Sequence, residues 1–201
     1  MEKDIITIKN NQKSVYEIKK SEFISYAFSV QSVDEANMFL AEVKQKHNDA
    51  RHICYAYVVN SLEKCSDDGE PSGTAGKPLL DLIKAQSFTN LLLVVVRYFG
   101  GIKLGAGGLY RAYLTAGKDV INICEKVKLI KAYQIVIEVP YENEEYILNK
   151  LKRMSDKKLT VNYYENVNVC FELSAEKLEA VKEQLNMLNL KYNIVSKMIM
   201  E

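Results

Sequence analysis

The sequence has no tryptophan, three prolines and four cysteines among its 201 residues. No two cysteines form a CxxC pair, and Cys54, Cys124 and Cys170 lie in apolar runs, which is typical of buried thiols in a reducing compartment. No apolar run is long enough to cross a bilayer. The opening stretch MEKDIITIKNNQK has no apolar core of the kind found in signal peptides. These absences predict a cytoplasmic protein without disulfides and without a membrane partner.

The sequence also has no large excess of positive or negative charge. Apolar residues make up 48% of the chain and charged residues 26%, and the net charge is +1. These values are typical of a globular protein with a buried core. They exclude a protein-wide field that attracts nucleic acid or membrane, so any anion site must be local.

Glycine is absent from the chain after Gly117. All nine glycines lie between Gly69 and Gly117, and this shift predicts two differently built domains, 1–131 and 132–201. In the first domain, two strands precede a helix with a capping box at Ser32 and Glu35. A strand over 52–60, a polar loop over 62–77, a helix from Pro78, a buried strand over 89–99 and a helix from Leu109 follow.

The second domain has a regular order of elements. Its apolar patterns predict βαββαβ, the ferredoxin-like arrangement. Tyr146, Ile147, Leu151 and Met154 are expected on the inner side of its first helix. The fold class is therefore α+β.

The segment RYFGGIKLGAGGLYRAY is the strongest functional signal. Gly105, Gly107 and Gly108 are expected between a strand and a helix, where backbone N–H groups can form an anion cradle. Lys103 precedes the cradle, and Arg111 in the first helical turn can bind a phosphate in a bidentate manner. The alternative is that the glycines permit tight turns and close packing of helix on sheet.

In a second loop, CSDDGEPSGTAGKP, acidic residues are followed by residues with small side chains. Asp67, Asp68 and Glu70 could hold a divalent cation through oxygen ligands. The alternative, which we favour, is a turn in which the two aspartates cap backbone N–H groups, and no metal site is assigned. The loop is not a Walker A motif, because Pro71 and Pro78 replace required residues.

The remaining polar clusters give weaker indications of function. His47, Asp49 and His52 have no recognised metal-ligand spacing. The tyrosines at 55, 57 and 98 could stack on bases, although packing on the sheet is their commoner use. No base accompanies a nucleophile, so no catalytic residue and no cofactor are predicted.

Four ordered blocks, KKSEFI, DARHICYAY, SDDGEPSGTAGKPLL and VVVRYFGGIKLGAGGLYRAY, closely resemble the IMPACT/YigZ family. The bacterial members carry a C-terminal ferredoxin-like domain, to which residues 132–201 correspond. The resemblance implies that the first domain has the superfold of elongation factor G domain IV, RNase PH and the GHMP kinases, with a left-handed βαβ crossover. It also implies that the second domain is similar to elongation factor G domain V. Ile53 and Ala106 depart from the family pattern, which commonly has Asn and Thr there.

The family's eukaryotic members regulate translation in the response to amino-acid stress. The resemblance therefore implies a non-enzymatic regulatory protein that contacts RNA or the ribosome. The expected anion or nucleic-acid site consists of Arg51, His52, Arg97, Lys103, Gly105, Gly107, Gly108 and Arg111. The second loop of the family pattern consists of Asp67, Asp68, Glu70, Ser72, Thr74 and Lys77.

Two alternative functions remain open. One is an enzyme acting on a phosphorylated small molecule or nucleotide, with Asp67 or Asp68 binding Mg²⁺. The other is a protein–protein regulator that uses the motif as a rigid docking face for a protein partner.

Overall fold

The computed structural model describes residues 5–155 and 158–200. In this part of the chain it contains two five-stranded sheets and five α-helices, so the α+β class is confirmed. The chain divides into two compact units, Met1–Lys128 and Leu129–Glu201. Within the described ranges, no helix is both long enough and apolar enough to cross a membrane.

The elements alternate along the chain. The strands are β1 Ile6–Ile8, β2 Gln12–Ile18, β3 Ser21–Ser29, β4 His52–Val59, β5 Leu62–Ser66, β6 Leu91–Tyr98, β7 Lys126–Val139, β8 Thr160–Tyr163, β9 Val167–Ser174 and β10 Lys191–Met200. The helices are α1 Val33–Lys46, α2 Gly76–Ala85, α3 Ala106–Asn122, α4 Glu144–Met154 and α5 Leu178–Met187.

The first sheet has the strand order β2-β3-β6-β4-β5, and all neighbouring strands are antiparallel. Its central strand β6 is apolar over 91–96 and buried on both faces there, because helices cover both sides of the sheet. Leu93 and Val95 face the core under α2 and α3, whereas Leu92 and Val94 face the core under α1.

Helix α1 begins as the sequence predicts. The Ser32 side chain accepts a hydrogen bond from the backbone N–H of Glu35 at 3.1 Å. The Glu35 carboxylate accepts one from the N–H of Gln31 at 2.6 Å. Two N–H groups at the helix start thereby gain acceptors.

Three predicted boundaries in the first domain are wrong. Residues 62–66 form β5 rather than a loop, because Asn60 turns the chain with a φ of 54° and lets it pair back on β4. Helix α2 begins at Gly76, two residues before Pro78. Helix α3 begins at Ala106, so Gly107 and Gly108 lie in its first turn and not in a loop.

The second sheet has the order β10-β7-β9-β8, with antiparallel neighbours, and β1 pairs with the first residues of β7. Its core includes Ile137, Phe171, Ile147 and Val181, so α4 and α5 pack on one face. Tyr146, expected on the inner side of α4, is instead 58% exposed, because it lies just beside the edge of the buried stripe that Ile147 and Leu151 form.

Candidate anion-binding site

The predicted site residues converge at one end of the first sheet. Strands β4 and β6 are antiparallel, so His52 at the start of β4 lies opposite Arg97 near the end of β6. The loop before α2 and the start of α3 lie at the same end and enclose a cleft of about 320 Å³. The residues that line it are Arg51, His52, Glu70, Pro71, Arg97, Phe99, Lys103, Leu104, Gly105, Ala106 and Leu109.

The start of α3 is an exposed helix N-terminus. The first helical hydrogen bond runs from the Leu109 N–H to the Gly105 carbonyl at 2.9 Å, so three backbone N–H groups precede it. Among the described residues no side chain caps this end, and the first-turn sequence AGGL has no acidic residue. Gly105 at the N-cap has a φ of +70°, which favours glycine. These N–H groups and the helix dipole create a local positive potential.

Two cationic side chains and one histidine lie beside this helix end. Arg51 and Lys103 are exposed and line the cleft. The His52 Nδ1 lies 2.8 Å from the Asp68 carbonyl oxygen. Because a carbonyl can only accept, the Nδ1 carries the proton and donates it, which fixes the orientation of the imidazole ring.

Arg97 is the buried cation of the cleft, only 6% exposed. Its Nη1 donates to Glu70 Oε1 at 2.7 Å, and the Tyr113 hydroxyl donates to the same oxygen at 2.9 Å. The guanidinium carbon lies 5.7 Å from the ring centroid of Phe23 and 5.5 Å from that of Phe99. The Arg97 Nε is buried and has no hydrogen-bond partner among the described residues.

Behind this pair lies a thiol that the geometry makes unreactive. Cys54 Sγ is 3.3 Å from the Tyr113 hydroxyl and 3.0 Å from the Asp67 carbonyl oxygen. Burial raises the pKa of Cys54 to about 12 and also raises the pKa of Tyr113. The thiolate is the nucleophilic form, so Cys54 is a structural residue at neutral pH.

The acidic loop caps backbone groups. Asp67 accepts hydrogen bonds from the N–H groups of Gly73, Ala75 and Gly76 at 2.8 to 3.0 Å and so supplies the N-terminal cap of α2. Burial alone would raise the pKa of Asp67, but these three hydrogen bonds outweigh it and lower the pKa. Asp68 Oδ2 accepts from the N–H of Ile53 at 2.7 Å.

The other members of this loop lie away from the cleft. The Thr74 hydroxyl donates to the Pro71 carbonyl at 2.6 Å, Lys77 pairs with Asp81, and Ser72 is exposed. Over the described parts of the chain, no three His, Cys, Asp or Glu side chains are grouped as metal ligands would be.

The structure brings together five of the eight predicted anion-site residues, namely Arg51, His52, Arg97, Lys103 and Gly105. Arg111 lies in the second turn of α3 and not the first, exposed, with its Nη1 3.7 Å from where a Cβ on Gly107 would lie. It is outside the set of cleft-lining residues, as are Gly107 and Gly108.

The sequence reasoning missed the apolar wall of the cleft. It consists of Pro71, Phe99, Leu104 and Leu109, which come from three separate segments. The sequence held one signal for this wall, because Phe99 is a large aromatic residue directly before Gly100 at the end of a strand. In the structure Phe99 is 48% exposed.

The other candidate clusters serve packing. The His47 ring nitrogens lie 2.8 Å from the Tyr26 hydroxyl and 3.0 Å from the Tyr98 hydroxyl. Burial, assisted by Lys46, lowers the pKa of His47. Tyr55 and Tyr57 are buried under α1, so they present no ring for stacking on a base.

Comparison with known proteins gives the family. The Impact N-terminal domain matches residues 19–121. The IMPACT family member YvyE of Bacillus subtilis is 37% identical over 179 residues, which span 86% of this chain and 80% of that protein. An IMPACT family member of Haemophilus influenzae is 34% identical over 84% of both chains. A crystal structure described as a hypothetical protein superposes with a TM-score of 0.74 at 29% identity, over 96% of this chain and 97% of that one. The chain therefore belongs to the IMPACT family.

Proposed function

We propose that this protein is a non-enzymatic, translation-related regulator that binds RNA, free or in the ribosome, through the cleft at the start of α3. The observation that carries the proposal is the open helix N-terminus with Arg51, His52 and Lys103 gathered beside it. Backbone N–H groups and cations in this arrangement bind phosphate oxygens. The link to translation rests on the resemblance to the IMPACT family, because the eukaryotic members of that family regulate translation.

Two crossovers support the superfold proposed for the first domain. The chain advances along the sheet from β3 through α1 to β4 and returns from β5 through α2 to β6, with the strand direction reversed. A rotation of 180° about an axis perpendicular to the sheet would superimpose the pair β3 and β4 on the pair β5 and β6. This rotation does not exchange the two faces of the sheet, but α1 and α2 pack on opposite faces. The crossovers are therefore of opposite hand, which supports the expected left-handed βαβ unit against the usual right-handed preference.

The strand order of the second unit supports the ferredoxin-like assignment. Numbered along the chain, β7, β8, β9 and β10 are arranged fourth, first, third, second in the sheet, and one helix lies in each crossover. We propose domains 1–131 and 132–201 on this basis, the second similar to elongation factor G domain V.

The Mg²⁺-dependent enzyme alternative has less support. It requires Asp67 or Asp68 to bind a cation, and Asp67 already accepts three backbone hydrogen bonds through its two oxygens. A cation there would displace the cap of α2.

Salt dependence tests the proposed function. Single-stranded RNA releases about 0.7 counterions per phosphate contact, so two contacts, made by Arg51 and Lys103, predict about sevenfold weaker binding from ~50 to ~200 mM salt. The assay is co-sedimentation of the protein with ribosomes and with total RNA of its host across that range.

The variant set isolates the cleft. Arg51→Ala/Lys103→Ala should lose co-sedimentation. Lys44→Ala/Lys118→Ala removes the same charge from exposed positions on α1 and α3 and should behave as the unaltered protein. Retention of binding by the cleft variant, or no co-sedimentation at low salt, contradicts the proposal and favours a protein partner.

A further inference from the structure

The lining of the cleft contains two chemically different groups of residues. Its polar lining includes Arg51, His52, Lys103 and the start of α3, and its apolar lining includes Phe99, Pro71, Leu104 and Leu109. A site that binds the internal backbone of a single-stranded nucleic acid is commonly an extended, positively charged groove. A volume of about 320 Å³ instead matches the lower range of sites for small molecules.

One residue that lines this cleft has a buried donor without an acceptor in the described parts of the chain. The Arg97 Nε is unpartnered within the described residues, although Arg97 is 94% buried and lines the cleft. An unsatisfied buried donor is destabilising, and a ligand oxygen would supply the missing acceptor. This observation is independent of the helix N-terminus and indicates the same class of ligand.

The formal charge of the cleft fits a terminal phosphate. Arg51, Arg97 and Lys103 contribute three positive charges and Glu70 one negative charge, which leaves +2. A phosphate monoester carries about −1.5 to −2 at neutral pH, whereas a backbone phosphodiester carries one negative charge. Charge matching therefore favours the monoester.

Phe99 supplies a surface for a ring. Its side chain is 48% exposed at the cleft, and the Arg97 guanidinium lies 5.5 Å from its ring centroid. Aromatic side chains in such positions stack on nucleobases of any identity.

We infer that the cleft binds a nucleoside monophosphate unit, with its terminal phosphate at the start of α3 beside Arg97 and its base on Phe99. This inference rests on the proposed function and narrows its ligand to a phosphorylated RNA end or a free nucleotide.

The first experiment compares RNA ends. Fluorescence anisotropy is measured with one ten-nucleotide RNA carrying either a 5′-phosphate or a 5′-hydroxyl. The phosphorylated oligonucleotide should bind at least tenfold more tightly, and adenosine 5′-monophosphate and inorganic phosphate serve as competitors. Adenosine 5′-monophosphate competing at micromolar concentration identifies the free nucleotide as a ligand. Competition that needs millimolar nucleotide identifies the RNA end.

The second experiment tests the stacking surface. Phe99→Ala should weaken binding of adenosine 5′-monophosphate about tenfold, because base stacking on an aromatic residue contributes about that factor. The variant should leave competition by inorganic phosphate unchanged. Ile102→Ala removes a similarly exposed apolar side chain from the same segment, outside the cleft lining, and should bind as the unaltered protein.

The outcomes separate the two proposals. Equal, salt-dependent binding of both oligonucleotides overturns the inference and leaves RNA binding through the cleft intact. Binding of the nucleotide without binding of any RNA supports the inference and removes the proposed function. A Phe99→Ala variant that binds the nucleotide as tightly as the unaltered protein overturns the inferred position of the base.

Discussion

Replacing Glu70 with glutamine would leave the Arg97 guanidinium buried without its counter-charge. The two side chains are 3% and 8% exposed, and the Arg97 Nη1 lies 2.7 Å from Glu70 Oε1. Breaking a buried pair by removing one partner costs about 3–5 kcal/mol, because the remaining charge stays desolvated. The glutamine amide keeps an acceptor for Tyr113, so the free energy of unfolding should fall by the lower figure, about 3 kcal/mol. For a domain of this size the melting temperature should fall by roughly 12 °C.

A surface pair provides the matched control. Lys9 and Glu125 form an ion pair at 2.8 Å with side chains 53% and 58% exposed. Glu125→Gln is the same chemical change and should cost about 0–1 kcal/mol. A Glu70→Leu/Arg97→Met variant removes both buried charges and should cost less than the sum of the two single replacements.

Urea unfolding followed by far-ultraviolet circular dichroism measures these differences, since the chain has no tryptophan to report by fluorescence. The reasoning about the buried pair fails if Glu70→Gln costs no more than Glu125→Gln.

The cap and the glycines make two further predictions. Asp67→Ala should lower the free energy of unfolding by about 2 kcal/mol at pH 7, because the start of α2 loses its acceptor. The folded-state pKa of Asp67 is lowered, so this stabilisation is present above its unfolded pKa of about 3.9 and disappears as the pH falls through the folded value. The difference in unfolding free energy between the unaltered protein and Asp67→Ala, measured by urea titration, should therefore be smaller at pH 3 than at pH 7, and a constant difference contradicts the assignment. Gly105→Ala should cost about 1–3 kcal/mol, because its positive φ is combined with an extended ψ that is almost restricted to glycine. Gly107→Ala meets only the flexible end of Arg111 and should stabilise α3 by up to about 1 kcal/mol in thermal unfolding. Destabilisation by both alanines contradicts the distinction between the two positions.

Local patterns predicted the elements whose signals are complete within a few residues. The Ser32 cap and the apolar stripe after it define α1, and the continuous apolar run 91–96 defines the two-sided burial of β6. In the second unit, the alternation of short strands and helices predicted the order of elements. These features depend on spacing and capping, which a single sequence displays directly.

Boundaries set by distant partners were less accessible. Helix α2 begins at Gly76 because Asp67, nine residues earlier, caps it. The glycine at 76 also has a tertiary cause, since a Cβ there would lie 2.7 Å from the backbone of Ser66. The polar composition of β5 predicted a loop. Such a composition also suits an edge strand, which is what β5 is.

The site itself was predictable by residue type and only partly by geometry. Clustered glycines and cations indicated an anion site, and Arg51, Lys103 and Gly105 do line one cleft. The pairing of Arg97 with Glu70 joins residues that are 27 positions apart, and no local spacing indicates it. The same holds for the apolar wall around Phe99, because its members meet only in the folded chain.

The central position of β6 has a consequence for synthesis on the ribosome. Both β3 and β4 pair with β6, which follows β3 by about 70 residues in the chain. At typical translation rates of roughly 5–20 residues per second, the β2–β3 hairpin waits about 4–14 s for its neighbour to emerge. During that interval Phe23, Ile24 and Ala27 are exposed on a strand with an unpaired edge, a template for wrong pairing. We therefore expect the nascent chain to be most prone to wrong pairing until Tyr98 has left the exit tunnel, and we expect closure of this long loop to slow folding.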